Sequence, residues 1–245
     1  MQLEGAIALV TGANGGIGQY YIQGLQGSGV TRIYAGARNP DSLKDIVETD
    51  PDRIIPISLD ITDEASVNAA AIAYPDVNLL INNAGVGFNQ RLVADIGFDK
   101  MRSEIEVNYL GMVRMCLAFA PLLKANGGGA IVNMLTILAK VNFPFNASYC
   151  ASKAAALLAT QGIRAELASQ KTLVIGVMPG TVDTGMSKTF PPPKVAPEEV
   201  VRAALQAVVD GVEEVYPGEQ AQEMQEQLLR DPKAVEKRMA EILLG

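Results

Sequence analysis

The stretch that most restricts the fold lies near the start of the chain. Residues 6–11 form an apolar run ending in Thr11, and Gly-Ala-Asn-Gly-Gly-Ile-Gly follows directly at 12–18. From residue 16 the pattern changes period, with Ile17, Tyr20, Tyr21 and Leu25 at helical spacing. A buried strand that turns through glycines into a helix can bring its backbone close to a phosphate. Gly12, Gly16 and Gly18 supply the small size and the unusual dihedrals, and the helix N-terminus presents unpaired N–H groups. Asn14 and Ile17 lie within the same turn and are expected to face the ligand.

The same alternation continues along the chain. Strands are expected at 31–37, 54–59, 77–81, 130–135, 173–178 and 214–216. Helices are expected at 16–27, from about 62 onward, and at 98–125, 148–167 and 197–210, followed by a charged helical tail over 220–244. This rhythm predicts an α/β protein: one doubly wound Rossmann domain over 1–245, with a parallel seven-stranded sheet flanked by helices on both faces. The tail is expected to cap the sheet edge or to reach a neighbouring subunit. Residues 185–197, with prolines at 191–193, form a candidate lid.

Composition excludes several chemistries. There is no histidine, which rules out a histidine base and zinc sites built on histidine. The formal net charge of -7 argues against a nucleic-acid partner. Cys116 and Cys150 are far apart and read as small core residues rather than a redox pair. No metal site is expected. The chain runs into its first strand within a few residues, leaving no room for a signal peptide, and no apolar run approaches a membrane span; a cytoplasmic location is the expectation.

Tyr149 and Lys153 stand four apart at the start of an alanine-rich helix, so they share a face. A phenol beside an ammonium is a candidate acid/base, because the positive charge is expected to lower the tyrosine pKa. Strand two ends Ala37-Arg38, where an acidic residue would bond a ribose 2′-hydroxyl; a guanidinium there suits a 2′-phosphate instead. NADP(H) is therefore expected in preference to NAD(H), although Arg38 could also be a solvated turn residue.

Thr11-Gly12-x-x-x-Gly16-x-Gly18, Asn82-Asn83-Ala84-Gly85, Tyr149-x-x-x-Lys153 and Pro179-Gly180, in that order, resemble the short-chain dehydrogenases/reductases over essentially the whole chain. The resemblance implies that Asp60 contacts adenine, with Ile61 lining its pocket. It places Asn82, Ala84 and Gly85 against the cofactor ribose, and makes Pro179, Val182 and Thr184 part of a nicotinamide loop. Asn108 matches the helix asparagine that holds a water of the proton relay. Thr136 stands where the family usually has serine, and Gly15 where many NADP-preferring members carry a basic residue.

The implied activity is interconversion of a carbonyl and an alcohol by NADP(H), with Tyr149 as acid/base, Lys153 on the ribose and Thr136 orienting the substrate oxygen. Phe143, Phe145, Met186 and Phe190 suggest an uncharged, fairly hydrophobic small-molecule substrate; Lys140 and Lys188 read as solvated. Met112, Met115, Leu117 and Phe119 on one helix and Ala154, Leu157 and Leu158 on another exceed a single inward stripe, which suggests a homodimer or homotetramer. The alternative is a cofactor-binding regulator on the same fold with weak or no catalysis.

Overall fold

The computed structural model describes residues 1–94 and 97–243. Its strands are β1 (Ile7–Thr11), β2 (Arg32–Ala37), β3 (Ile54–Ser58), β4 (Leu79–Asn82), β5 (Gly129–Met134), β6 (Thr172–Val177) and β7 (Glu214–Val215). They pair in the order β3-β2-β1-β4-β5-β6-β7, and every pairing is parallel. The order reverses between β1 and β4, and that reversal opens a crevice at the carboxyl ends of the strands.

Helices α1 (Gly16–Gln26) and α7 (Pro197–Asp210) cover one face, where Tyr21, Ile22, Leu25, Val200 and Val208 pack on Ala8, Val10 and Ile33. A short α2 (Lys44–Val47) follows β2. Helices α3 (Glu64–Ala73), α5 (Met112–Ala125) and α6 (Ala147–Leu167) cover the opposite face, with α4 (Phe98–Ile105) leading into α5. Met115, Phe119 and Leu123 are fully buried there against Leu9, Leu80 and Ile131. Each large side chain so buried contributes roughly 1.5–3 kcal/mol. Because both faces are covered, the central strands are largely apolar rather than alternating, with Thr11, Asn82 and Asn133 as buried polar exceptions.

Three details differ from the sequence reading. The turn at 40–43 ahead of α2 was not expected; Asn39 caps it by accepting from the Asp41 N–H at 3.1 Å. The long helix over Phe98–Ala125 is interrupted by a π-helical segment, Glu106–Gly111. The tail is two helices, α8 (Glu219–Arg230) and α9 (Pro232–Glu241), broken where Asp231 accepts from the Ala234 N–H at 2.9 Å. They fold back over the turn after β5 through Val141, Met224, Leu228, Val235 and Met239.

One expectation needs correction. The 28-residue helix Phe98–Ala125 does contain a window of mean hydropathy 1.2, long and apolar enough to cross a bilayer by length and composition alone. Its buried residues cover the sheet, as a core helix does. The apolar residues of α5 and α6 also mostly face inward: Met112, Met115, Phe119 and Leu157 are buried, whereas Leu117 and Leu158 are exposed at 70% and 69%.

Candidate active site

The glycine turn is fixed before any ligand arrives. Gly12 holds φ +63°, in the left-handed region that favours glycine. The Asn83 side-chain amide donates to the carbonyls of Thr11 (3.0 Å) and Gly12 (3.1 Å). The Thr11 hydroxyl oxygen accepts from the N–H groups of Asn83 and Ala84, both at 3.0 Å. A Cβ at Gly18 would lie 2.1 Å from the Gly12 carbonyl oxygen, so only glycine lets α1 approach the turn this closely.

A cleft of about 540 Å³ runs from this turn across the carboxyl ends of the strands. Of the residues expected to bind a cofactor, Gly12, Asn14, Gly16, Ile17, Arg38, Asp60, Ile61, Ala84, Gly85, Tyr149, Lys153 and Thr184 line it. Gly18 serves packing beneath it. Asn82 is turned away: its amide donates to Asn133 Oδ1 (2.9 Å) and Cys116 Sγ (3.3 Å) inside the protein, and Asn83 takes the place in the cleft wall. Pro179 and Val182 line the adjoining pocket instead.

At one end Arg38 is exposed and makes no hydrogen bond or ion pair with another described residue. Ser42, which the sequence reading missed, lies beside it in the cleft and accepts from Asn14 Nδ2 at 3.0 Å. Partial burial pushes the Asp60 carboxyl up, but hydrogen bonds from Thr62 and the charges of Arg38 and Arg114 outweigh this and hold it below the usual range. The residues fit a dinucleotide carrying a terminal phosphate. Bare glycine backbone faces the mouth of α1, and an exposed guanidinium, Arg38, lines the same cleft. Gly85 also leaves a hollow in which a Cβ would lie 3.2 Å from Asn108 Oδ1 and 3.4 Å from Lys153 Nζ.

The other end holds the reactive groups. Lys153 is 5% exposed, donates to the Met134 carbonyl at 2.7 Å, and lies 5.9 Å from the centre of the Tyr149 ring. Burial lowers its pKa to about 8. Burial also raises the Tyr149 pKa well above its ordinary value, with smaller contributions from Cys150 and Glu104. This corrects the expectation of an acidic phenol: desolvation is the largest cause, and the Lys153 ammonium is directed at the Met134 carbonyl.

Asn108 sits in the π-helical segment. Its Oδ1 accepts from the Val86 N–H (2.9 Å), and its Nδ2 donates to the Val86 carbonyl (2.8 Å) and Ser152 Oγ (2.9 Å). Both amide hydrogens are thus committed to holding the strand end beside Lys153, and one acceptor position on Oδ1 remains for a water. The Thr136 hydroxyl donates to the Pro179 carbonyl (3.3 Å) and accepts from the Leu138 N–H (3.2 Å).

Beyond Tyr149 lies a second cavity of about 480 Å³, and Tyr149 lines both. Thr136, Phe143, Met186 and Phe190 line this pocket as expected; Phe145 does not, and instead packs on Phe143 with ring centres 5.9 Å apart. Lys140 is no solvated residue. It donates to the Tyr216 hydroxyl (2.6 Å) and to Gln225 (3.1 Å), pinning the tail. The sequence reading missed the tail's part in the site. Gln220 accepts from the Thr181 N–H at 2.7 Å, and Met224, Met239 and Ile242 close the pocket. The spacings 224/228 and 235/239/242 carry that signal, since each marks one apolar helix face.

Comparison with known proteins agrees with this geometry. The sequence model described as short chain dehydrogenase matches residues 6–194. A solved short chain dehydrogenase from Burkholderia cenocepacia J2315, in complex with NADP, is 46% identical with a TM-score of 0.93, covering 98% of this chain and 99% of that one. An NADP-dependent 3-hydroxy acid dehydrogenase of Schizosaccharomyces pombe is 27% identical over 194 residues, 76% of this chain and 75% of that protein. An uncharacterized oxidoreductase of Staphylococcus haemolyticus is 29% identical over 215 residues, 84% of this chain and 92% of that protein. With the glycine turn, the switch-point cleft and the Tyr149/Lys153 pair in place, the chain belongs to the short-chain dehydrogenase/reductase family of oxidoreductases.

Proposed function

We propose that the protein is an NADP(H)-dependent carbonyl reductase or alcohol dehydrogenase acting on an uncharged, largely apolar ketone, aldehyde or secondary alcohol. The observation that carries this reading is the position of Tyr149, at the border between a dinucleotide-sized cleft and a pocket with no charged side chain among its described lining residues. A carboxylate such as the acid named for the Schizosaccharomyces pombe relative would meet no cation in that pocket.

Gly12, Gly16 and Ile17 would hold the pyrophosphate, Arg38 and Ser42 the 2′-phosphate, and Lys153 the ribose hydroxyls beside Gly85. When bound, the nicotinamide would supply or accept the hydride, and in its oxidised form its positive charge would oppose the burial that keeps Tyr149 protonated. In the reductive direction the raised pKa of Tyr149 keeps a proton on its hydroxyl at neutral pH, ready for the substrate oxygen as negative charge develops there. Thr136 can turn its hydroxyl from the Pro179 carbonyl to the same oxygen. A panel of ketones and alcohols followed through NADPH and NADH absorbance tests the reading. Cofactor binding without turnover of any member would favour the regulator.

The charge at the 2′ end yields a separate prediction. Ala37→Asp combined with Arg38→Leu removes the cation and supplies a carboxylate for a ribose hydroxyl. The ratio of kcat/KM for NADPH over NADH is expected to fall by about tenfold or more. An unchanged ratio would remove Arg38 from cofactor choice.

We further infer a homodimer or homotetramer joined through the outer faces of α5 and α6, where Leu117 and Leu158 stand exposed. Light scattering on the eluting protein is expected to give two or four chains. Replacing both leucines with glutamate is expected to shift it toward monomer, and a monomeric wild type would refute the assembly.

A further inference from the structure

Asn146 immediately precedes α6, is only 6% exposed, and lines the second pocket. Asparagine at the start of a helix usually accepts a hydrogen bond from the first turn. Here the side chain makes no such cap, and its amide has no hydrogen-bond partner among the described residues. Several other polar groups in the pocket are engaged within the protein, although Asn89 Oδ1 also lacks a partner there. Thr136 donates to the Pro179 carbonyl, Ser187 to the Val182 carbonyl, Asn89 to the Met186 carbonyl, and Gln220 accepts from Thr181. The Asn146 amide thus lines the pocket with nothing on the protein to satisfy it, and is left for a molecule in the pocket to complete.

Its surroundings narrow what that something is. Phe143, Met224, Met239 and Ile242 make the rest of the wall apolar, and no described lining residue is charged. An ionised group would be unpaired there. A carboxamide both donates and accepts, so a hydroxyl and a carbonyl suit it equally. Asn146 also stands immediately before the first turn of α6, three positions ahead of Tyr149, and both line this pocket. The group it meets therefore lies close along the substrate to the reacting carbon.

We propose that Asn146 determines specificity by hydrogen-bonding a second oxygen of the substrate, so that preferred substrates are uncharged ketones bearing a nearby hydroxyl or second carbonyl, with an otherwise apolar body. This rests on the oxidoreductase reading above and adds the substrate class to it. In this view the substrate oxygen replaces the water that otherwise occupies the amide. A site built to bond such a group discriminates strongly against a substrate lacking it.

The test compares matched ketones of equal length, with and without a hydroxyl or carbonyl one to three carbons from the reacting carbon, in wild type, Asn146→Leu and Asn146→Ser. Each enzyme is scored by its ratio of kcat/KM for the oxygenated over the plain ketone, a ratio in which any general loss of activity cancels. The expected result is a wild-type preference of about tenfold or more, lost in Asn146→Leu and partly kept in Asn146→Ser. Should the leucine variant fail to fold, a reduced preference in the serine variant supports the role of Asn146 and an undiminished one overturns it. Equal rates on both ketones in wild type, or a preference that survives Asn146→Leu, would overturn the role of Asn146 while leaving the oxidoreductase standing. No NADPH oxidation with either ketone would overturn both.

Discussion

Replacing Tyr149 with phenylalanine is expected to lower turnover by about 10²–10⁴-fold, the span typical of a lost general acid. The substitution removes one oxygen and leaves the ring. That ring packs beside Gly87, where an added Cβ would already lie 3.1 Å from Tyr149 Cδ2, so the cavity wall stays in place. NADPH affinity is expected to change little, because Lys153 donates to the Met134 carbonyl rather than to the phenol. Thr136 belongs to the same assay: Thr136→Ala should lower turnover and Thr136→Ser should preserve it, since only the hydroxyl is required. Fluorescence titration separates binding from turnover, and wild-type rates in Tyr149→Phe would end the acid/base assignment.

Gly18→Ala is expected to be strongly destabilising. The new Cβ would sit 2.1 Å from the Gly12 carbonyl oxygen and 2.9 Å from both Ala13 Cα and Asn83 Nδ2. Two of these are backbone atoms that Asn83 pins from the other side, so relief requires opening the turn itself. A cost of about 3 kcal/mol or more is expected, at the upper end of overpacking effects. For a chain of this size that lowers the melting temperature by roughly 6–12 °C, together with loss of NADPH binding. Gly162→Ala supplies the contrast. It lies within α6 with nothing within 4 Å of the added carbon, so the methyl should stabilise by roughly 0.5–1 kcal/mol through helix propensity alone. Thermal unfolding of the two variants checks the opposite signs, and equal melting temperatures would show that the turn yields to the methyl.

Much of the architecture could be read along the chain because the sheet is buried on both faces. A run such as 130–135 announces itself by composition, and its boundaries moved by only a residue in the structure. The glycine turn was legible for the same reason that Gly18→Ala is harmful: nothing larger fits. Less legible was anything decided by contacts distant in sequence. Asn82 and Asn83 are adjacent and chemically identical, but successive residues at a strand end point to opposite sides, so one supports the sheet and the other enters the cleft. The acidity of Tyr149 looked settled by a lysine four residues on; the burial that reverses it comes from the segments folded over it. Lys140 looked like a surface charge until Tyr216 and Gln225, some eighty residues later, closed on it.

Part of the pocket roof comes late in the chain. The match to the short chain dehydrogenase model ends at residue 194, whereas Gln220, Met224, Met239 and Ile242 all come after it. The proposed acid/base, Tyr149, and these wall residues therefore sit in separate stretches of the sequence. Point changes in the final helices are expected to retune the range of accepted molecules while leaving Tyr149 and Lys153 in place.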